Sequence, residues 1–158
     1  MPRASFSHSV ELTRPSDEVW LTLQDATTWS GIGPVDSVWE PVHADDGTLE
    51  SFRWSAHVGP TSYKGSAVIA AAIAPTHMEL SLDSSELKGS LIADIDDSEP
   101  TGLAVTLEVA SKGTMGALFF PLIAEAIGRG LPEQVESFAA SLNGDGAGDE
   151  SGRRLRPM

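Results

Sequence analysis

From Met115 to Leu142 the chain reads MGALFFPLIAEAIGRGLPEQVESFAASL. Its large apolar residues, Leu118, Phe119, Leu122, Ile123, Ile127, Leu131, Val135, Phe138 and Leu142, recur at steps of three and four. That is the period of a helix and not of a strand. A helix of this length, about 40 Å at 1.5 Å per residue, cannot bury an apolar face by itself. It demands something long and concave to lie along, and only the residues before it can supply that. Pro132, after Gly128 and Gly130, removes a backbone hydrogen bond and crowds a carbonyl, so a kink or short break is expected around Gly128–Pro132.

Those preceding residues read as strands. Residues 4–13 alternate, with Ala4, Phe6, His8, Val10 and Leu12 on one face and Ser5, Ser7, Ser9, Glu11 and Thr13 on the other. The period then changes: Pro15 with Ser16 or Asp17 opens a helix carrying Val19, Trp20 and Leu23. A second short helix is expected in ATTWSGIGP, ended by Gly31 and Gly33 with Pro34 closing it. Strands follow near 35–43, 48–58, 62–73, 77–83, 86–95 and 102–111, separated by turn-forming clusters such as Asp45-Asp46-Gly47 and Gly59-Pro60. Such short connections favour an antiparallel sheet. The reading is α+β: a curved antiparallel sheet of about seven strands around a long C-terminal helix, with two short helices after the first strand. Residues 1–142 form one domain, and 143–158, poor in apolar residues, form a disordered tail.

Composition removes several function classes. There is no cysteine, which excludes disulfides, thiolate metal sites and cysteine nucleophiles. The formal charge of −13 opposes a nucleic-acid partner, whose phosphates call for clustered Lys and Arg. Asp83, Glu86, Asp94, Asp96, Asp97 and Glu99 crowd one region beside Lys88. They lack the loop spacing of a calcium site and read as a solvated surface. No apolar run reaches membrane-spanning length, so a cytoplasmic protein, not an integral membrane one, is expected. No nucleophile elbow, phosphate loop, dinucleotide motif or zinc motif occurs; no cofactor, metal ligand or catalytic residue is assigned.

The order of elements, the opening VELTRPSDEVWLTLQDATTW, the SGIGP after it, AHVGPTSYKGSAVI and the closing helix resemble the START-like, helix-grip superfamily. Within it, Val58 to Gly65 looks most like the carbon monoxide dehydrogenase G family, alongside the polyketide cyclase-like groups. The resemblance implies a lipid, quinone or polyketide-like ligand held between sheet and long helix. A polyketide cyclase or dehydratase using the same cavity, and an accessory protein docking on a larger oxidoreductase, are the alternatives it leaves open. So is a homodimer.

The residues read as lining such a cavity are Phe6, His8, Trp54, Tyr63, Phe119 and Ile123, with Trp29 as a lid at its mouth. Aromatic side chains give a pocket apolar walls with a polar tip at hand. His8 is the one histidine on an inward face and the one acid–base candidate. The small inward residues Gly65, Ala67, Ala71, Gly89 and Ala93 are expected to leave volume under the helix.

Overall fold

The computed structural model describes residues 3–30, 35–58 and 61–144; the side chains of residues 58, 61, 114–116 and 119 lie outside that description. Seven strands, β1 (Arg3–Leu12), β2 (Val35–His43), β3 (Leu49–Val58), β4 (Thr61–Ile73), β5 (His77–Ser84), β6 (Leu87–Asp96) and β7 (Thr101–Ser111), form one antiparallel sheet. Its order is β1-β7-β6-β5-β4-β3-β2, so only β1 leaves its neighbour in sequence to close beside β7. Helix α1 (Ser16–Leu23) and a 3-10 turn (Ala26–Trp29) fill the connection from β1 to β2, and α2 (Gly113–Gly144) lies along the inner face, chiefly against β1. This is the α+β grip of a long helix by a curved sheet that the alternating pattern implies. Gly31, Gly33, Pro34, Gly59, Pro60 and the tail from residue 145 lie outside the described residues.

The buried seam of α2 is Ile123, Ile127, Leu131, Val135 and Ala139, with Phe120 ahead of it. Two expected members of the apolar face, Leu118 and Leu122, are instead 65% and 54% exposed. A three-and-four pattern permits several adjacent stripes, and the sheet takes the one built on steps of four. The expected break at Gly128–Pro132 is absent, for α2 runs unbroken through both Pro121 and Pro132. Gly128 has a packing role: a Cβ there would stand 3.1 Å from the Phe6 ring, so the missing side chain lets α2 settle on β1. The helix also passes Leu142. Asn143, assigned to the tail, accepts from the Thr13 N–H at 2.8 Å and donates to the Glu11 carbonyl at 3.3 Å, while Arg14 Nε donates to the Leu142 carbonyl at 3.2 Å.

The inward small residues have separate causes. At Gly65 a Cβ would lie 2.3 Å from the Asp83 carbonyl oxygen and 2.5 Å from Trp54 Cζ2. The Trp54 indole covers its cross-strand partner Gly65 and donates to the Ser66 carbonyl at 3.0 Å. Gly89 is backed by the Glu108 carbonyl, 2.2 Å from where a Cβ would be. Ala67 and Ala93 are buried as expected. Ala71 is not on the inner face: a bulge between Ile69 and Ala71 shifts the register, pairing Ala71 with outward Glu79 and Ala72 with buried Met78.

On the outer face His77 is held from both sides, its Nε2 2.8 Å from Glu79 Oε2 and its Nδ1 2.5 Å from Asp94 Oδ1. These hydrogen bonds, Glu79 foremost, raise the imidazole pKa above 6.5 against a small opposing effect of burial.

Two outcomes follow from these contacts. Gly65→Ala should destabilise the fold by about 1–3 kcal/mol through overpacking, read as a lower urea midpoint at unchanged slope. An unaltered midpoint would mean Trp54 moves aside freely. Because His77 titrates higher in the folded than in the unfolded chain, its stabilisation is complete below about pH 6.5 and fades as pH rises through the folded value. Urea midpoints should therefore drop from pH 6 toward pH 9, and His77→Gln should flatten that drop.

Candidate functional site

The inner face of the sheet can be followed row by row from the pairing register. Ile69, Leu80, Leu91, Leu107 and Phe6 form one row; Ala72, Met78, Ala93, Val105 and His8 the next; Ile95, Leu103 and Val10 another. Large side chains predominate in these rows, with Ala72 and Ala93 the small members and a gap of about 190 Å³ beside Leu103 and Val105. Toward the other end of the strands the row is Phe52, Ala67, Leu82, Gly89, Val109 and Ala4. Here small residues alternate with large ones, and here the sheet and α2 part slightly. Between them lies an apolar hollow of about 70 Å³.

Trp54, Ala56 and Tyr63 form one wall of this hollow, Leu91, Leu107 and Val109 its floor, Ile123 and Ile127 of α2 its roof. Almost all of the surface that it presents is carbon. The polar tips of both tryptophans in the wall are already engaged: Trp54 donates to Ser66, and Trp29 Nε1 donates to the Leu23 carbonyl at 3.1 Å. Burying those N–H groups unpaired would cost on the order of 1–3 kcal/mol each. Their bonds turn both indoles into fixed apolar panels.

Trp29, Trp54, Tyr63 and Ile123 are thus brought together around one hollow, and Phe6 and His8 are not. Trp29 is only 3% exposed. It is a buried wall rather than a lid on an exposed turn, because the 3-10 segment packs onto α1 and β2 and its indole N–H is anchored inward. Phe6 lies one row below, under Gly128. His8 points inward from β1 as its alternation implies, yet it stands four residues from Ala4, about 13 Å along the strand from the hollow's row. Its Nε2 meets Glu136 Oε2 of α2 at 2.6 Å. That pairing fastens helix to sheet and does not place an acid or base in the hollow. The side chain of Phe119 lies outside the described residues. Sequence reasoning missed Ala56, Leu91, Leu107 and Ile127; the inward phase of each strand was visible, but not which rows stand opposite a gap.

A second polar constellation is on the outer face of β2 and β3. The Asp36 carboxylate takes a hydrogen bond from His57 Nδ1 and another from Ser55 Oγ at 2.9 Å, while Ser37 and Ser55 hydroxyls are 2.7 Å apart. These bonds, His57 first, hold the Asp36 carboxyl below the usual range. The residue types are those of a nucleophilic triad, but the connectivity is wrong. The serine donates to the carboxylate, and among the described residues no hydroxyl is set against the imidazole. Among the described residues no group of His, Asp and Glu is arranged to hold a metal ion. No described helix is long and apolar enough to cross a membrane.

No family model and no curated protein matches the sequence. Solved structures do match the fold. An aromatase/cyclase from Streptomyces sp. R1128, Zhui, superposes with a TM-score of 0.67 at 14% identity, over 92% of this chain and 99% of that one. A START superfamily protein from Mycobacterium smegmatis gives 0.57 at 18% identity, over 84% and 97%. A polyketide-cyclase-like protein from Corynebacterium glutamicum gives 0.57 at 16%, over 89% and 92%. At these identities the likeness concerns architecture alone. Seven antiparallel strands in this order around one long C-terminal helix, matched across nearly the whole chain, give this protein the START-like, helix-grip fold.

Proposed function

We propose that the protein binds a small hydrophobic or amphipathic molecule (lipid, quinone or polyketide-like) between the sheet and α2, with the hydrocarbon part seated in the hollow. The observation that carries this reading is the hollow itself, whose lining is almost wholly carbon, whereas a second gap of about 190 Å³ beside Trp29, Val105 and Phe138 is partly polar. Well-packed cores leave few voids larger than a water molecule. A gap walled by the four aromatic side chains Trp29, Phe52, Trp54 and Tyr63, with both indole N–H groups engaged, is suited to an apolar guest. Its size sets a condition. Ligand pockets run to roughly 300–1,000 Å³, so a guest of that class fits only when Ile123 and Ile127 move away from the sheet.

The enzymatic reading meets a specific obstacle. The described lining holds no carboxylate, imidazole or amine, and Tyr63 is its one side chain able to exchange a proton. A cyclase or dehydratase activity abolished by Tyr63→Phe, with binding retained, would establish that reading over the first.

Native mass spectrometry of protein purified from its own host should show an apolar adduct. A panel of lipids, quinones and aromatic polyketides should contain a compound that raises Tm by about 5–10 °C at a hundredfold excess over Kd. Ala56→Leu puts an isobutyl group into the hollow in place of a methyl. It should keep the fold and erase that shift. Absence of any adduct together with no thermal shift across the panel would overturn the proposal.

A further inference from the structure

Trp29 closes the hollow on one side and borders a second space on the other. This is the gap of about 190 Å³ between the 3-10 turn, β7 and the C-terminal half of α2. On β7 the inward residues step from one space to the next, Val109 and Leu107 at the hollow, Val105 and Leu103 at the gap. Leu107 and Val105 are only about 7 Å apart at strand spacing. On α2 the hollow meets Ile123 and Ile127, and the gap meets Val135 and Phe138. Leu131, fully buried, is the member of the α2 seam that stands between them.

The two linings differ in kind. Where the hollow presents almost only carbon, the gap adds the side chains of Thr28, Ser30, Gln134 and Ser141. The Thr28 hydroxyl donates to the Thr22 carbonyl at 2.7 Å, so it offers a ligand only lone pairs. Ser30, Gln134 and Ser141 make no side-chain hydrogen bond among the described residues. Their hydroxyls and amide can each donate or accept. Gln134 is half-buried and the two serines are exposed, so the gap opens to solvent at this rim. The described lining holds no Lys, Arg, His, Asp or Glu. An ion drawn in beside Trp29 and Phe138 gives up hydration and meets no opposite charge. For an anion the formal charge of −13 adds to that cost. A hydroxyl or carbonyl loses far less, and the amide and serines replace its water.

We propose that the gap is a head-group subsite, and that the head it takes is uncharged and hydrogen-bonding. An alcohol, phenol or carbonyl fits this description; a carboxylate, phosphate or amine does not. The assignment rests on the reading of the hollow as the seat of the hydrocarbon part. Such a ligand lies along the face of Trp29, its polar end at Gln134 and its chain under Ile127, about 10 Å away along α2. The indole N–H is spent on the Leu23 carbonyl, so Trp29 contributes a surface and the choice of head falls to Gln134 and the serines. Ile123, Ile127 and Leu131 share one seam. The displacement that a guest requires of the first two carries Leu131 with them and joins the two spaces.

Isothermal titration of the full chain near neutral pH with decanol, decanoate and decylamine varies the head on one hydrocarbon chain. The unaltered protein should bind decanol at least tenfold more tightly than either ion, a difference of about 1.4 kcal/mol. This ranking needs no variant. Gln134→Leu combined with Ser141→Ala, first checked for an unaltered melting transition, should weaken decanol binding about tenfold. Ala56→Leu, which fills the hollow, should abolish binding of all three. Equal affinities, a preference for either ion, or decanol binding untouched by the double variant would each overturn the head-group subsite. If Ala56→Leu still abolished binding in those cases, the hollow would stand without it. A protein that binds none of the three overturns the subsite, and a blank ligand panel beside that result removes the hollow as well.

Discussion

Everything in this structure depends on how one helix is buried by one sheet. The seam Ile123, Ile127, Leu131, Val135, Ala139 advances by four residues at each step. Four residues turn a helix by about 400°, so each step moves the seam some 40° around the axis, and the five positions together sweep roughly 160°. No flat surface can follow such a line. A strongly twisted sheet can, because its strands change direction as they cross the helix. The insertion of β1 beside β7, the one departure from neighbour-to-neighbour order, brings a strand under the whole length of that spiral.

The hollow is a by-product of the same geometry. The row holding Leu80, Leu91 and Leu107 supplies a large side chain at each of those strands beneath the helix, whereas the row through Ala67 and Gly89 does not. Gly65 shows that small residues alone do not make a cavity, since the Trp54 indole occupies the volume its glycine leaves. The gap survives one row away because Trp29 and Trp54 are pinned by backbone carbonyls and cannot collapse into it.

Strand limits were legible to within about two residues, because a half-buried antiparallel strand writes its two faces into alternate positions. The same alternation put His8 inward correctly. It carries no record of depth along the strand, which is why His8 and Phe6 read as sharing a cavity with Tyr63. The helix was legible as a helix but not in its facing: Leu118 and Leu122 fit an apolar stripe as well as Phe120 and Ile127 do, and only the twist of the partner sheet decides. At Ala71 a single bulged position inverted a phase that had held since Tyr63. Trp29 reads as exposed because Trp54 of β3, Val105 of β7 and Val135 and Phe138 of α2, which stand around its indole, are remote in sequence from its own short turn. Errors of this kind arise wherever the deciding neighbour is distant in sequence.

The polar ties of α2 to β1 and the residues after it gather near its C-terminal end, at Glu136, Leu142 and Asn143. Its other end is held too: Gly113 follows β7 through Lys112, whose N–H donates to the Glu86 carbonyl at 2.8 Å and whose Nζ donates to Asp83 and to the Ser84 carbonyl. Ile123 stands about 15 Å from Gly113 and about 30 Å from Asn143 along the axis, in the span between the two anchorages. A rod clamped at both ends yields by bowing, and the roof over Trp54 and Tyr63 lies on the stretch that can bow while Glu136 and Asn143 keep their ties.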